Sequence, residues 1–163
     1  KDILANDKEL HIKIRVSKKK KIIEIEDNGI GMSRQDLIDN LGTIARSGTG
    51  KFIEAMKAKK NNDVSAIGQF GVGFYSCFMV ADKVEVITKK ALDNKAYIWK
   101  SDGKTGFTIK ETEKENTGTH ITLYLNENGH EYTNKWSIDT IIKNQVIPVG
   151  KGTKKTNGIK IIL

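Results

Sequence analysis

The sequence predicts an α+β fold, a two-layer sandwich in which a mostly antiparallel sheet carries its helices on one face. Two observations lead there. Short runs of apolar and polar residues alternate with period two and are separated by turn residues, so the strands come as hairpins and meanders. Helical periodicity is confined to a few segments grouped between those strands, instead of following each strand in turn as a parallel doubly wound sheet requires. At 163 residues, 37% hydrophobic and 29% charged, the chain has the size and composition of one globular domain, residues 1–163.

The elements follow in order. Leu10, Ile12, Ile14 and Val16 alternate with His11, Lys13 and Arg15, the period of a half-buried strand. A lysine-rich turn at 18–21 leads into residues 21–27 as the paired strand of a hairpin. Ser33 with Asp36 is a capping-box signal, and Leu37, Ile38 and Leu41 supply an apolar face to the helix it starts. From Gly42 to Ile67 the periodicity breaks down around glycines 42, 48 and 50, as in a hinged lid. A short apolar helix follows Gly73. Strands are then predicted over 83–89, 95–100, 105–110 and 120–125, joined by turns such as Leu92-Asp93-Asn94 and Ser101-Asp102-Gly103. Ile138, Ile141 and Ile142 mark a helix, and residues 158–163 a closing strand.

Composition excludes several classes of function. The net charge of +8 raises the question of nucleic acid, but the lysines are scattered or sit in tips at 18–21 and 57–60, without interleaved aromatics for base stacking. No apolar run approaches the ~20 residues of a membrane span. His11, His120 and His130 share no metal-ligand spacing, and no Ser-His-Asp arrangement is legible. The single Cys77 rules out an internal disulfide, suits a reducing compartment, and sits in an apolar segment as a small hydrophobe.

Two glycine-rich stretches carry the chemistry: Glu26-Asp27-Asn28-Gly29-Ile30-Gly31-Met32, and the run from Ile67 through Gly68, Gln69, Phe70, Gly71, Val72, Gly73 and Phe74 to Ser76. Glycine-dense loops that open helices present backbone N–H groups to anions. Strand parity adds a sharper point. Ile23 and Ile25 share a face and Asp27 continues it, whereas Glu24 and Glu26 point the other way. A carboxylate aimed into an apolar layer needs a partner, either the nearby N–H groups of its own turn or a ligand. Ile121, Leu123 and Leu125 likewise share a face that Thr119 continues. An inward Asp and an inward Thr suit a heterocyclic amine and a ring nitrogen, and the glycine loops turn that pair towards a purine nucleotide.

These stretches, together with Asp39-Asn40-Leu41-Gly42-Thr43-Ile44-Ala45-Arg46-Ser47-Gly48-Thr49, resemble the N-terminal nucleotide-binding domain of the 90-kDa heat-shock chaperones. That domain belongs to the superfamily that also holds DNA gyrase B, the MutL mismatch-repair proteins and the sensor histidine kinases. The two glycine-rich stretches are common to the superfamily, and the Leu-Gly-Thr-Ile-Ala run resembles the chaperones alone. Ala96-Tyr97-Ile98-Trp99 and Gly118 to Leu123 extend the likeness, and Trp136 after Glu131-Tyr132 resembles the bacterial, high-temperature protein G-like branch.

The resemblance implies an ATP-binding domain of a dimeric cytoplasmic chaperone, binding ATP or ADP with Mg2+ and handling unfolded client proteins, with no nucleic acid or membrane partner. By the same likeness Asp27 accepts from the adenine amine, and Thr119 supports it through water. Gly31 and Met32 line the base, Asn40 meets the sugar-phosphate side, and Arg46 meets the phosphates. Gly68, Gln69, Phe70, Gly71, Val72, Gly73 and Phe74 cradle the phosphates, and 42–67 is the lid. The family's general base, a Glu, and its magnesium-holding Asn lie on a helix upstream of the motifs found here, and the tail 144–163 departs from the family's pattern. No catalytic residue is therefore assigned, and residues 1–163 by themselves are expected to show no ATP turnover above background. The alternatives are a DNA-transacting ATPase of the gyrase or MutL type, a histidine-kinase-type phosphotransfer enzyme, and a binding module without turnover.

Overall fold

The computed structural model describes residues 10–42, 72–134, 136–140 and 160–162. Among the described residues seven strands form one sheet: β1 (His11–Ser17), β2 (Ile22–Asp27), β3 (Ala81–Lys89), β4 (Ala96–Ser101), β5 (Phe107–Thr112), β6 (Gly118–Leu125) and β7 (Lys160–Ile162). Their order is β5-β4-β3-β6-β2-β1-β7. Every pairing is antiparallel except that of β7, which runs parallel to β1. The α+β class is as expected, and the strands differ from expectation at their ends. Strand β5 begins at Phe107 because Asp102 holds the backbone N–H groups of Lys104 and Thr105, each at 2.8 Å, in the preceding loop. Strand β6 begins at Gly118 and β3 at Ala81, extending the expected spans backwards.

Residues paired across antiparallel strands share a face. The register sets Ile25 opposite Ile121, Ile23 opposite Leu123, Leu123 opposite Val84, and Val86 opposite both Ile121 and Trp99. This face is covered. Ile23, Val84, Val86, Trp99 and Leu123 join Leu37, Leu41, Ala81 and Leu125 in one buried cluster. Leu37 comes from the short helix α1 (Arg34–Leu37), which runs on into a π-type turn (Ile38–Gly42) carrying Leu41. The Trp99 ring stacks on Phe107 with centroids 6.1 Å apart and meets the edge of Phe74 at 5.8 Å. Phe74 belongs to helix α2 (Val72–Tyr75), which is followed by α3 (Cys77–Val80). Cys77 packs half-buried against the cluster, and burial raises its thiol pKa, in keeping with a hydrophobic role.

The opposite face is open and charged. Arg15 bonds Glu26 at 3.1 Å, His120 stands 3.3 Å from Glu24, and Lys83 and Lys100 converge on Glu85 at 3.1 and 3.0 Å. Glu24 and Glu26 thus lie across the sheet from Asp27, as parity requires. Gly42, the first residue of the expected lid, is buried, and a Cβ there would come within 2.8 Å of the Phe107 ring. The rest of that expectation, residues 43–67, lies outside the described residues, as does most of the tail.

Among the described residues two non-glycine positions take the left-handed conformation, Lys21 at φ +53° and Leu92. Leu92 has φ +70° in the turn closed by Asp93 N–H donating to the Lys90 carbonyl at 3.1 Å, a position that favours Gly or Asn. Its side chain is 87% exposed, so it gains no packing in return. Replacing it should relieve the left-handed penalty of about 1–2 kcal/mol, less the ~0.5 kcal/mol that a glycine loses through added freedom of the unfolded chain. Leu92→Gly is expected to raise the urea midpoint at unchanged m-value, and a lowered midpoint would show that Leu92 makes a contact worth more than its strain.

Candidate functional site

Antiparallel neighbours β2, β6 and β3 bring three strand ends together at one end of the sheet: the close of β2 at Asp27, the opening of β6 at Gly118-Thr119, and the last residues of β3, Thr88 and Lys89. After Asp27 the chain crosses in front of β6 to reach β3. Two contacts secure the crossing at β3, where Met32 N–H donates to Thr88 Oγ1 at 2.9 Å and Ala91 N–H donates to the Ile30 carbonyl at 2.7 Å. The crossing passes so close that only glycine fits at two points. A Cβ on Gly118, at φ +108°, would lie 2.2 Å from the Asp27 carbonyl oxygen. One on Gly31, at φ +65°, would lie 2.0 Å from that of Lys89. Both glycines are thus required by backbone approach as well as by conformation.

Asp27 stands at the centre. Its Oδ1 accepts from Gly29 N–H at 2.8 Å and from Thr119 N–H at 3.3 Å. The first bond is the local turn, and the second ties β6 to it. Its Oδ2 takes no hydrogen bond from the described residues. The turn reading of this carboxylate holds at Oδ1, which organises the backbone. Thr119 is 8% exposed and Thr88 wholly buried, with their hydroxyl oxygens 3.1 Å apart.

The wall behind Met32 is held by α1. Asp36 Oδ2 accepts from Ser33 N–H, Ser33 Oγ and Lys90 Nζ, each at 2.8 Å, and Ser33 Oγ accepts from Asp36 N–H at 3.2 Å. The expected capping box is present, and Lys90 adds a link to the end of β3. Hydrogen bonds from Lys90 and then Ser33 lower the Asp36 carboxyl from 3.8 to about 2. A carboxyl whose folded pKa is depressed contributes stability that is complete above the unfolded value and is lost as pH falls through the folded one. Asp36→Asn should therefore flatten the acid limb of the stability curve between about pH 4 and pH 2. An unchanged limb would mean that Lys90 and Ser33 do not discriminate the charged form.

The structure brings together Asp27, Gly31, Met32 and Thr119 from the expected set. Asn40 lies on the exposed π-type turn with Nδ2 donating to the Asp36 carbonyl at 2.8 Å, and has no bond to the Asp27 cluster among the described residues. The half-buried Phe74 ring packs against Trp99. The backbones of Val72 and Gly73 open helix α2, and Gly68, Gln69, Phe70, Gly71 and Arg46 lie outside the described residues. Two residues escaped the sequence reading. Thr88 continues the face of Val84 and Val86, so the parity that found Thr119 could have found it too. Asn28 is 7% exposed and its Oδ1 accepts from His11 N–H at 2.8 Å, pinning the start of β1; in the sequence it is indistinguishable from an ordinary turn residue.

The sequence has known counterparts. Residues 3–115 match the family described as histidine kinase-, DNA gyrase B- and HSP90-like ATPase. The chain is 56% identical over 144 residues to the chaperone protein HtpG of Borreliella burgdorferi, covering 86% of this chain and 23% of that protein. It is 54% identical over 132 residues to HtpG of Campylobacter jejuni, covering 81% of this chain and 21% of that protein. HtpG of Roseobacter denitrificans is 49% identical over 141 residues, 86% of this chain and 23% of its own length. The chain thus spans under a quarter of the length of these curated relatives. With more than half of its residues inside the match, the chain belongs to the histidine kinase-, DNA gyrase B- and HSP90-like ATPase family.

Proposed function

We propose that this chain is the adenine-nucleotide-binding part of a molecular chaperone, in which ATP binding drives the handling of unfolded or partly folded client proteins. The observation that carries the reading is Asp27, held by two backbone N–H groups at Oδ1, with Oδ2 taking no hydrogen bond from the described residues. In that reading Oδ2 accepts from the exocyclic amine of adenine, and the Thr119 hydroxyl supports the contact through water. Gly31 and Met32 line the base because the crossing segment holds them against β3. Asn40 serves the sugar-phosphate side, Arg46 the phosphates by charge, and the backbone from Gly68 to Phe74 the phosphates by N–H donation. The chemistry supplied by bound ATP is a hydrolysable γ-phosphate. Magnesium would accompany the phosphates. Among the described residues no group of three His, Cys, Asp or Glu side chains presents a cage for it, and base recognition does not depend on one.

A dimeric assembly and a cytoplasmic setting belong to the same proposal. The names of the relatives support the chaperone over a DNA-transacting role, and the ion pairs on the open face of the sheet support a solvated surface. Calorimetric titration of the full-length protein with ADP and with GDP tests the reading. Saturable ADP binding that GDP does not share is the expected result. Equal affinity for both, or duplex DNA binding that falls steeply with salt, would overturn it.

A further inference from the structure

We propose that Asn28-Gly29 is a modification site, a spontaneous deamidation step that the fold holds closed by taking the Gly29 N–H into the Asp27 carboxylate.

An Asn-Gly step is chemically labile because glycine, with no Cβ, lets its backbone nitrogen swing onto the preceding side chain. The Gly29 nitrogen forms a bond to Asn28 Cγ, the bond from Cγ to the side-chain nitrogen breaks, and that nitrogen leaves as ammonia with the glycine proton. Water then opens the five-membered imide at either carbonyl. The product is aspartate or, with the main chain rerouted through the side chain, isoaspartate. No oxidant or reductant enters. The reaction needs a glycine nitrogen that can give up its proton and an asparagine side chain that can turn towards it.

Both are withheld here. Gly29 N–H donates to Asp27 Oδ1 at 2.8 Å, which retains the proton and sets a negative charge against the nitrogen anion that must attack. The buried Asn28 side chain is tied to β1, its Oδ1 accepting from His11 N–H at 2.8 Å. The arrangement recurs at the other two Asn-Gly or Asp-Gly steps among the described residues. Gly103 N–H, after Asp102, donates to Ser101 Oγ at 2.9 Å. Gly129 N–H, after Asn128, donates to Asn126 Oδ1 at 3.1 Å. In each case a side-chain oxygen just upstream holds the one proton the reaction must remove. Asn28 is the step with most to lose. A Cβ on Gly118 would already lie 3.0 Å from Asn28 Cα, so the extra main-chain atom of isoaspartate has no room where the chain crosses β6.

Full-length protein held at mildly alkaline pH, folded or unfolded in guanidinium, and then mapped by peptide mass spectrometry tests this. Folded protein should deamidate at Asn28 about 100-fold or more slowly than the unfolded chain, because the reaction waits for local opening. Asp27→Ala leaves the Gly29 N–H without its acceptor. Measured against Asn128 in the same sample, which controls for a general loss of stability, Asn28 should then react about tenfold faster than in the wild type. Asp27→Asn retains an acceptor without the charge and should fall between the two. Asn126→Ala should shift the ratio the opposite way, and neither it nor the wild-type comparison depends on an Asp27 variant folding. Equal rates at Asn28 in folded and unfolded wild-type protein would overturn the proposal, as would an unchanged ratio in folded Asp27→Ala. No readout here involves a nucleotide, so such a failure is separate from any failure of the proposed function.

Discussion

Asp27→Asn should lower ADP affinity by about 10- to 100-fold while leaving the domain folded, the range expected when a hydrogen bond to a charged group is lost. On the proposed reading the two oxygens of Asp27 have separate duties, and asparagine can perform only one of them. Its carbonyl oxygen can take the place of Oδ1, accepting from Gly29 N–H and Thr119 N–H, so the turn and the link to β6 survive. Its NH2 group must then occupy the place of Oδ2 and confront the adenine amine donor to donor. Asp27→Ala removes both functions and should also destabilise the fold, because two partly buried N–H groups lose their acceptor. Calorimetry with ADP, paired with a urea titration of each variant, separates the two. Unchanged ADP affinity in a folded Asp27→Asn protein would remove Asp27 from the site.

The largest expected loss of stability belongs to Gly118→Ala. A side chain at φ +108° costs about 1–3 kcal/mol in backbone strain. A Cβ placed 2.2 Å from the Asp27 carbonyl oxygen and 3.0 Å from Asn28 Cα must also push two backbones apart, adding ~1–3 kcal/mol of overpacking. Gly106 supplies the control, with φ +115° and nothing within 4 Å of its notional Cβ. Gly106→Ala should show the strain alone. The difference between the two urea midpoints therefore reports the closeness with which the crossing segment passes β6. Equal losses would show that the segment yields to a methyl group, and the site built on it would then be softer than its hydrogen bonds imply.

Period-two patterning made much of this site legible. A strand side chain can lie on only two faces, so once Ile23 and Ile25 pack on the core cluster the direction of Asp27 is settled, and the same holds for Thr119 behind Ile121 and Leu123. The capping box at Ser33 and Asp36 was legible for a similar reason, since both partners lie within one helical turn. Thr88 was legible in principle, but an alternation of Val, Val and Thr reads as plain strand until its neighbours are known.

What the sequence by itself determined, then, is everything governed by local period and by motif: the α+β class, the faces of Asp27, Glu24, Glu26 and Thr119, and the likeness of the glycine-rich stretches to a nucleotide-binding family. Only the tertiary structure decided that β6 lies between β2 and β3, and everything specific to the site follows from that order. It places Thr119 within reach of Asp27 on one side and Thr88 on the other, and makes the Asp27 segment pass over Gly118. It also makes Asp27 Oδ1 the acceptor that ties the turn to β6. Hydrogen bonds act over about 3 Å, and which donors and acceptors come that close depends on strand order and register, which contacts distant in the chain establish.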